Sequence, residues 1–571
     1  MNEILSRYCP RTEFDSYEDF YANYRCNMPE DFNFAFDVVD EWARLDPKKQ
    51  ALLWTDDSGE LRSYSFADMK RLSDKGANML LAQGIGKGDV VMLILKQRPE
   101  AWIMMIALMK IGAICIPASY QLTLKDLVYR CNIAGVKFLI SVDDQELVDS
   151  IHAALPDCGT VKKTALVGKE VPPGFIDLPA EIERAPEIFT RPKEGTRIRD
   201  PMLVYFSSGT TGMPKMVLHD YSLPLGHIVT AKYWQCVQDN KVHLTQSDSG
   251  WAKFAWGKIY GQWICGAVVG VYDTEKFNPQ GILSALQRLR PVSFCAPATI
   301  LRFLIKEDLS GWDFSFIEHA SVAGEPLSPE VFHKIKEMTG LEIREGFGQS
   351  ETSVMAAVFK WLPVKPGSMG KPAPLFGLNL LDEEGKVCDD GIVGNISITA
   401  AGEPGSLAGK PDKPAGERIP GLFTGYWKDD EITRAAWYDG IYHTGDMAWH
   451  DGDGYYWFVG RNDDVIKCSG YRIGPFEVES ALMEHPSVLE CAVTAAPDPI
   501  RGQVVKATVV LARGWQASEE LTRELQNHVK RVTAPYKYPR IVEFVAELPK
   551  TISGKIQRNV IRGKDAEAGG K

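Results

Sequence analysis

The stretch MLVYFSSGTTGMPK occupies residues 202–215 and joins an apolar run to a loop rich in hydroxyls and glycine. The apolar run predicts a buried strand that ends where the loop begins. Glycines let backbone N–H groups turn toward one point, hydroxyls add donors, and Lys215 adds positive charge. The stretch therefore indicates a phosphate-binding loop suited to a triphosphate. Its spacing differs from G-x-x-x-x-G-K, and a polar surface loop without a ligand would also fit this stretch alone.

Apolar runs that alternate with helical patterns lie on both sides of this stretch. VVMLIL at residues 90–95 precedes a helical pattern at about residues 100–110, and FLISV follows at residues 138–142. The same alternation returns at VVGVY, residues 268–272, and at VSFCAPA, residues 292–298. Such alternation is typical of parallel sheets covered by helices. The sequence therefore predicts an α/β fold.

Length and charge limit the class of protein. The chain has 571 residues, of which 45% are hydrophobic and 24% are charged. It is too long for one hydrophobic core, so we expect several subdomains. The formal net charge of -11 argues against a protein that binds nucleic acid or anionic lipid, because both require a basic surface. An anionic ligand would therefore need a local binding site.

The cysteines and the first residues bear on the cellular compartment. The eleven cysteines are scattered singly, without metal-ligand spacing, which suits reduced thiols in a cytosol. The start, MNEILSRYCP, lacks the apolar core of a secretory signal and the Arg- and Ser-rich character of a transit peptide. The longest apolar stretch, residues 101–118, is interrupted by Lys110 and Gly112 and predicts a buried helix followed by a strand. We expect a cytoplasmic protein without an integral membrane segment.

The composition changes twice toward the C-terminal end. Residues 400–425 are too rich in glycine and proline for a regular element and predict an exposed loop. A segment with its own periodicity begins after GRNDD, residues 460–464. Its pattern is helix (475–484), strand (489–495), strand (504–511) and helix (519–532). This pattern predicts a small, separate α+β domain.

Further motifs carry charged residues close to glycines. GFGQSET puts Glu351 after an aromatic, glycine-rich turn, where a carboxylate could hold a magnesium ion on phosphates. YHTGDMAW puts Asp446 where it could accept hydrogen bonds from ribose hydroxyls. Taken singly, each motif has a structural alternative. Asp446 would equally cap a turn, Arg461 would equally form an ion pair, and Lys555 in PKTISGK would equally be a solvated lysine.

The order and spacing of these motifs together resemble one family. The chain resembles the adenylate-forming (AMP-binding) superfamily of acyl-CoA synthetases, luciferases and peptide-synthetase adenylation domains. Within it, three segments are most similar to the medium-chain acyl-CoA synthetases: GWAKFAWGKIYGQW, APYKYPRIVEF and LPKTISGKIQR. The resemblance covers roughly residues 30–560.

The resemblance implies an architecture. It implies a large N-terminal AMP-binding domain, residues 1–462, built of α/β subdomains with parallel-rich sheets and a small β-barrel-like part. It also implies a small, mobile α+β C-terminal domain, residues 463–571, with a hinge near Asp463. The cofactors that it implies are ATP, Mg²⁺ and coenzyme A.

The resemblance also implies roles for individual residues. Lys555 would reach in for adenylation, Lys215 would assist it, and Glu351 would bind the metal. One departure is Ser350, where relatives usually carry threonine, although the hydroxyl is kept. The implied phosphate, adenine and ribose contacts are Ser207, Ser208, Gly209, Thr210, Thr211, Gly212, Lys215, Gly324, Glu325, Pro326, Glu345, Gly346, Phe347, Gly348, Gln349, Ser350, Asp446 and Arg461. The implied coenzyme A side consists of Ser469, Gly470, Tyr471, Arg472, Arg501 and Lys530.

The implied chemistry has two steps at one carbonyl. A carboxylate attacks the α-phosphorus of ATP to give an acyl-adenylate and pyrophosphate, and the thiol of coenzyme A then takes the acyl group. Lys555, Lys215 and a magnesium ion on Glu351 would offset the negative charge of the first step. A thiol with a pKa of roughly 8.5 is partly ionised near neutrality, so no dedicated general base is needed. Rotation about Asp463 would exchange Lys555 for residues 469–472 between the two steps.

The acyl group is the least specified part. WAKFAW, residues 251–256, contains no acid of the kind that would clamp an amino-acid substrate, and Trp251 and Trp256 suggest an apolar pocket. Aromatic core packing is an equal alternative. We expect a hydrophobic carboxylic acid, short or medium in chain length, branched or cyclic. Three alternative functions are an aryl-CoA ligase such as a benzoate-CoA ligase, a luciferase-like oxygenase and a non-catalytic nucleotide-binding regulator. The sequence does not determine the direction of the reaction or the oligomeric state.

Overall fold

The fold is described from a computed structural model. The described residues are 2–207, 213–399, 419–468, 471–498, 501–550 and 556–569. Much of the predicted exposed loop, residues 400–418, lies outside these ranges. The remainder of that loop differs from the prediction, because Ile419, Leu422 and Phe423 are buried. These residues are buried because their side chains are apolar, although the glycines around them favoured an exposed loop.

The strands account for most of the regular structure around the site. In chain order they are β1 (Gln50–Asp56), β2 (Leu61–Ser65), β3 (Val90–Ile94), β4 (Ile114–Pro117), β5 (Val136–Val142), β6 (Lys163–Val167), β7 (Ile176–Asp177), β8 (Pro201–Ser207), β9 (Lys215–Asp220), β10 (Val242–Thr245), β11 (Val268–Asp273), β12 (Ser293–Ala296), β13 (His319–Ala323), β14 (Ile343–Phe347), β15 (Ala356–Ala357), β16 (Lys371–Pro372), β17 (Gly377–Leu381), β18 (Gly394–Thr399), β19 (Gly425–Tyr426), β20 (Trp437–Tyr438), β21 (Ile441–His450), β22 (Tyr456–Arg461), β23 (Ile466–Cys468), β24 (Tyr471–Ile473), β25 (Val488–Asp498), β26 (Gly502–Leu511) and β27 (Ile541–Val545).

The helices cover the sheets. In chain order they are α1 (Glu3–Tyr8), α2 (Tyr17–Asn23), α3 (Glu41–Leu45), α4 (Phe66–Ala82), α5 (Pro99–Ile111), α6 (Leu124–Ala134), α7 (Gln145–Ala154), α8 (Leu178–Arg184), α9 (Leu223–Ile228), α10 (Ala252–Lys258), α11 (Tyr260–Ile264), α12 (Pro279–Leu289), α13 (Ala298–Leu304), α14 (Pro329–Thr339), α15 (Asp430–Ala436), α16 (Pro475–Met483), α17 (Glu519–Val532) and α18 (Arg558–Gly569). Short π-helical segments (Ala35–Asp40, Val229–Trp234) and 3₁₀ segments (Leu155–Asp157, Pro535–Lys537) supplement them.

Two large sheets form the core of the N-terminal part. One has eight strands in the order β19-β9-β8-β4-β3-β5-β6-β7, and the other has nine in the order β16-β15-β14-β13-β12-β10-β11-β1-β2. Neighbours are parallel except β8–β9 and β9–β19 in the first sheet, and β1–β2, β14–β15 and β15–β16 in the second. The predicted α/β fold with parallel-rich sheets is confirmed.

The opening stretch of the sequence analysis forms a hairpin. β8 and β9 pair in antiparallel fashion along their whole length, and Ser207 lies opposite Lys215 at the end of the pair that the connecting loop joins. The loop between them therefore leaves the sheet and returns to it at one edge. This strand–loop–strand arrangement differs from the strand–loop–helix arrangement of the G-x-x-x-x-G-K loop.

Two smaller sheets follow. β17, β18, β20, β21 and β22 form an antiparallel sheet, which corresponds to the predicted barrel-like part. β23 to β27 form the last sheet, which packs with α16 and α17 around a hydrophobic cluster of its own. The predicted small α+β C-terminal domain is confirmed. Its boundary between residues 462 and 463, its mobility and the hinge at Asp463 stay predictions.

The longest apolar stretch forms α5 and β4, as predicted. Gly112 ends the helix with a φ of 75°, a conformation that favours glycine. The fully buried Lys110 donates hydrogen bonds to Asp40 Oδ1 at 2.7 Å and to Asp74 Oδ1 at 2.5 Å. A buried ammonium group needs such partners, because its desolvation is otherwise costly. Within the described residues, no helix combines the length and the apolar character needed to cross a membrane.

Replacing Lys110 should destabilise the N-terminal domain. Lys110→Met leaves the fully buried Asp74 with only the partly exposed Lys70 as a partner. We expect a loss of about 3 kcal/mol in the free energy of unfolding, the usual cost of removing one partner of a buried ion pair. Urea unfolding followed by fluorescence measures it. The control Lys137→Met removes a half-exposed ion pair with Asp89 and should cost less than about 1 kcal/mol; equal losses in the two variants would contradict the prediction.

Candidate active site

A cavity of about 2480 Å³ collects residues from all four sheets. The tryptophans Trp251 and Trp256 line it, and the C-terminal domain contributes Lys550, Ile556 and Arg558. The predicted nucleotide-site residues that line it are Ser207, Lys215, Gly324, Glu325, Pro326, Glu345, Gly346, Phe347, Gly348, Gln349, Ser350, Glu351, Asp446 and Arg461. The fold therefore brings together residues that lie far apart in the sequence.

The topology of the nine-stranded sheet explains this convergence. β10, β12, β13 and β14 are parallel neighbours, so their carboxyl ends lie at one edge of the sheet. The chain segments that follow these strands begin at Gln246, Pro297, Gly324 and Gly348, and all four residues line the cavity. Ligands of open α/β sheets bind at this edge.

A lysine, a tyrosine and a glutamate lie in a row in space, at the end of the cavity next to the hairpin of β8 and β9. Lys215 Nζ lies 5.0 Å from the ring centroid of Tyr426, and the Tyr426 hydroxyl donates to Glu351 Oε1 at 2.9 Å. Burial raises the pKa of Tyr426 well above its usual value, so the phenol keeps its proton and acts as the donor. The sequence analysis missed Tyr426, which reaches the site because β19 pairs with β9.

A second network lies around Asp446. The register of β21 and β22 puts Asp446 opposite Arg461, whose Nη1 lies 3.6 Å from Asp446 Oδ1. Gln349 Nε2 donates to Asp446 Oδ2 at 2.5 Å, and Gln349 Oε1 accepts from the Tyr442 hydroxyl at 2.8 Å. Asp446 is only 5% exposed. The ion pair of Arg461, considered as a structural alternative in the sequence analysis, is therefore present and still lines the cavity.

Two glutamates lie beside the adjacent loops, Glu345 buried and Glu325 partly exposed. Glu345 accepts a hydrogen bond from the Leu327 N–H at 2.9 Å, and burial raises its pKa to about 8. Glu325 accepts hydrogen bonds from Thr299 Oγ1 at 2.9 Å and from Arg302 Nη2 at 2.7 Å. Glu345 is therefore neutral at pH 7, whereas Glu325 is a paired carboxylate.

The predicted acyl wall is aromatic. Trp256 packs at 46° against Trp234 with the ring centroids 5.9 Å apart, and Trp234, which also lines the cavity, was missed by the sequence analysis. A Cβ on Gly346 would lie 2.5 Å from the Trp234 ring, so glycine is required there. Asp248, just before the wall, also lines the cavity. It accepts from the Gly250 N–H at 2.8 Å, and burial raises its pKa to about 6.

The C-terminal domain holds both ends of residues 551–555. Lys550 and Ile556 form an antiparallel bridge, and Arg558 donates to both carboxylate oxygens of Glu479, at 2.7 and 2.8 Å. Asp464 binds Arg562 and lies 3.9 Å from Arg558. These contacts fix the chain on either side of the predicted lysine segment.

The remaining predicted residues lie elsewhere. Arg501 and Lys530 are not among the described residues that line the cavity, and Lys530 Nζ lies 4.1 Å from the ring centroid of Tyr538. Asp463 Oδ1 lies 3.7 Å from Arg461 Nε, and Tyr471 and Arg472 belong to β24. Outside the described residues lie Ser208, Gly209, Thr210, Thr211, Gly212, Ser469, Gly470 and Lys555.

Comparison with known proteins identifies the family. Residues 39–402 match the family described as AMP-binding enzyme, and residues 477–555 match the AMP-binding enzyme C-terminal domain. The chain belongs to the AMP-binding enzymes. The mitochondrial acyl-coenzyme A synthetase ACSM3 of Mus musculus is 40% identical over 561 residues, which cover 97% of this chain and 94% of that protein.

Solved structures agree with this AMP-binding enzyme over nearly its whole length. The anthranilate CoA ligase AuaEII, in complex with anthranoyl-AMP, is 26% identical with a TM-score of 0.84 and covers 95% of this chain and 99% of its own. A benzoate CoA ligase from Burkholderia xenovorans is 25% identical with a TM-score of 0.77 and covers 93% and 100%. The resemblance predicted from the motifs is confirmed.

The acidic residues of this AMP-binding enzyme bear on whether magnesium fits. Among the described residues, no group of three or more His, Cys, Asp or Glu side chains could hold a metal ion. Glu351 lines the cavity with one carboxylate oxygen bonded to Tyr426. Magnesium commonly binds to one or two carboxylates together with substrate phosphates and water. Glu351 therefore fits a magnesium ion that the nucleotide would help to hold.

Glu345→Gln should remove a pH dependence of stability. The folded pKa of about 8 lies above the unfolded value of roughly 4.3, so between these values the folded enzyme binds more protons than the unfolded chain. The free energy of unfolding should therefore fall with rising pH across this window, by about 1.4 kcal/mol per pH unit at most. The glutamine variant keeps an acceptor for the Leu327 N–H and should lack this slope.

Urea unfolding at a series of pH values tests this sign. The wild type should lose stability relative to Glu345→Gln as the pH rises from about 5 to about 8. The exposed Glu342, which binds Lys336 at 2.7 Å, supplies the matched control Glu342→Gln. Parallel curves for the wild type and Glu345→Gln would contradict a neutral Glu345.

Proposed function

We propose that this protein is an AMP-forming acyl-CoA synthetase. It joins a hydrophobic carboxylic acid to coenzyme A, uses ATP, passes through an acyl-adenylate and releases AMP and pyrophosphate. The proposal rests on one cavity. Its lining includes the ends of the β8–β9 hairpin, Glu351 and the Asp446–Arg461 pair, together with Trp251 and Trp256. The names of the relatives support it, since they are acyl-coenzyme A synthetases and CoA ligases.

The first step needs positive charge at the phosphates. Lys215 lies at the end of the hairpin and on the Tyr426 ring, at the same end of the cavity as Glu351. Lys555 supplies a second ammonium group from the segment after Lys550. Glu351 would hold a magnesium ion together with the phosphates, and the ion would supply positive charge to offset the negative charge of the α-phosphate and the leaving pyrophosphate. Preorganised cations of this kind favour the attack of the carboxylate, because they meet charge that develops in the transition state.

The second step needs a different side of the small domain. The cavity is lined by Lys550, Ile556 and Arg558, whereas Arg501 and Lys530 are not among its described lining residues. This arrangement supports the assignment of the adenylating state to the position in which the Lys555 segment faces the cavity. Rotation of residues 463–571 about Asp463 then brings the coenzyme A side, with Gly470, to the carbonyl. One mobile domain thereby serves both half-reactions.

The acyl pocket takes an apolar acid. Trp234, Trp251 and Trp256 line the cavity beside Gly346, and the neutral Glu345 adds no charge. We propose acids of short or medium chain length, branched or cyclic. A second candidate is an aromatic acid, because a flat ring packs well against tryptophan and because two solved neighbours are named anthranilate and benzoate CoA ligases.

The compartment and the direction of the reaction belong to the same proposal. The name of the Mus musculus relative includes the word mitochondrial, whereas the sequence analysis led us to expect the cytoplasm. The cytoplasmic location stays a prediction. We propose acid activation as the direction, and the similar energies of thioester and phosphoanhydride also allow the reverse.

A substrate panel with purified protein tests the function. Linear, branched, cyclic and aromatic acids are each supplied with ATP, Mg²⁺ and coenzyme A, and AMP, ADP and acyl-CoA are quantified. The proposal predicts acid-dependent AMP and acyl-CoA, and none when any one component is omitted. Acid-dependent ADP in place of AMP, or ATP binding without turnover of any acid, would refute it. ATP binding without turnover of any acid is the result expected of a non-catalytic regulator.

Lys555→Ala should separate the two half-reactions. Loss of this ammonium should slow acyl-adenylate formation by about a hundredfold or more, because a preorganised charge at the α-phosphate is removed. Transfer from preformed acyl-adenylate to coenzyme A should stay close to the wild-type rate, because the lysine is withdrawn in that state. Single-turnover measurement of each step checks both expectations.

The control for this variant is an exposed lysine. Lys336→Ala removes a surface ion pair with Glu342 at 2.7 Å, outside the cavity lining, and should change neither step strongly. Unchanged thermal unfolding of both variants excludes a folding defect. A Lys555→Ala enzyme equally impaired in both steps, or in neither, would rule out the two-position domain.

A further inference from the structure

One arginine beside the hairpin of β8 and β9 has no hydrogen-bond or ion-pair partner among the described residues. Arg130 lies on α6, and its guanidinium carbon lies 4.8 Å from the ring centroid of Phe206, the residue before Ser207. Its Nε is buried and makes no hydrogen bond. Among the described residues it forms no ion pair, and the nearby Asp126 instead accepts bonds from the backbone and hydroxyl of Thr123. Within the described part of the chain, Asp126 therefore acts on Arg130 only through its charge, without a hydrogen bond or an ion pair.

The position of Arg130 is tied to both ends of the hairpin loop. Phe206 precedes the loop, and Tyr129, next to Arg130 on α6, donates from its hydroxyl to the Pro214 carbonyl at 3.3 Å. Arg130 lines the same cavity as Ser207 and Lys215. The side chain is thus held against the hairpin while its planar face rests on Phe206.

A second stacked arginine shows how an arginine with only a structural role is paired. Arg62 also lies 4.8 Å from an aromatic centroid, that of Trp54, but it binds both carboxylate oxygens of Glu60, at 2.7 and 2.9 Å. Arg130 has the same stacking geometry without a carboxylate. Burial of a charge without a partner is costly, and it lowers the pKa of Arg130. A bound anion would offset that cost.

We propose that Arg130 binds phosphate groups of the substrate beside the hairpin loop. A guanidinium presents several N–H donors in a plane that match two phosphate oxygens at once. The pyrophosphate end of ATP is the source that the position favours, because α6 contacts both ends of the hairpin loop, through Arg130 at Phe206 and Tyr129 at Pro214, and Lys215 follows Pro214. The phosphates of coenzyme A have the same chemistry and are the alternative source. This inference rests on the proposed function for the identity of the nucleotide.

Binding of inorganic pyrophosphate tests Arg130 without any turnover. Pyrophosphate should raise the melting temperature of the wild type, and Arg130→Gln should lose most of that rise. Arg62→Gln is the matched control, since it removes a stacked arginine outside the cavity and should keep the full rise. If pyrophosphate stabilises the Arg130→Gln and wild-type proteins equally, the proposal is overturned for this source.

Half-reaction kinetics separate the two sources. Loss of a charge-assisted hydrogen bond typically weakens binding tenfold to a hundredfold. We therefore expect the KM for ATP in ATP–pyrophosphate exchange to rise by about that factor in Arg130→Gln, with the KM for coenzyme A unchanged in transfer from preformed acyl-adenylate. A rise in the KM for coenzyme A alone would assign Arg130 to the phosphates of coenzyme A. No change in either KM, together with equal binding of pyrophosphate, would refute the contact.

Arg130→Lys keeps the test valid if the glutamine variant fails to fold. Lysine retains the charge but not the bidentate geometry, so a smaller rise in the same KM is expected, and wild-type values would refute the contact. An inactive wild type would refute the proposed function and leave the pyrophosphate measurement as an independent test of Arg130.

Discussion

Parallel pairing of β10, β12, β13 and β14 is the constraint on which the site depends. It fixes the carboxyl ends of four strands at one edge, so that the segments after them share one cavity. The hairpin of β8 and β9 and the pair β21–β22 close this edge from two other sheets. Tyr426 and Gln349 then join the parts, because their side chains bridge Glu351 and Asp446 to strands of different sheets. The chemistry is thus assembled by strand register before any ligand binds.

The sequence predicted the strands because buried parallel strands are continuous apolar runs, and it predicted the motifs because they follow those runs. VVGVY became β11 and VSFCAPA contains β12, and the loops after β13 and β14 line the cavity. Tyr426 and Trp234 were not predictable, since their importance depends on partners far away in the chain. Tyr426 lies 75 residues from Glu351, and Trp234 meets a backbone position at Gly346 that no local pattern indicates. For the same reason, the absence of a partner at Arg130 is visible only in three dimensions.

Buried ionisable side chains have different partners in the hydrophobic core and in the candidate active site. In the core, Lys110 forms ion pairs with Asp40 and Asp74, which offset the cost of burying its charge. At the site, Glu345 has a single N–H partner and stays protonated at neutral pH. A neutral carboxyl group beside the cavity avoids repulsion of an anionic nucleotide and keeps the acyl region apolar. Paired carboxylates such as Glu325 and Asp446 lie where their charge is already balanced by Arg302 and Arg461.

The contacts that hold the lysine segment explain how it could move as a unit. Arg558 binds Glu479, Arg562 binds Asp464, and Glu479 also accepts the Val493 N–H at 2.8 Å. All of these partners follow residue 463, so rotation about the proposed hinge would leave them intact. Only contacts between the domains would be broken, and that interface includes the cavity that both domains line. In the proposed rotation the cost would therefore fall on contacts across this cavity, whereas the contacts that flank residues 551–555 would be kept in both positions.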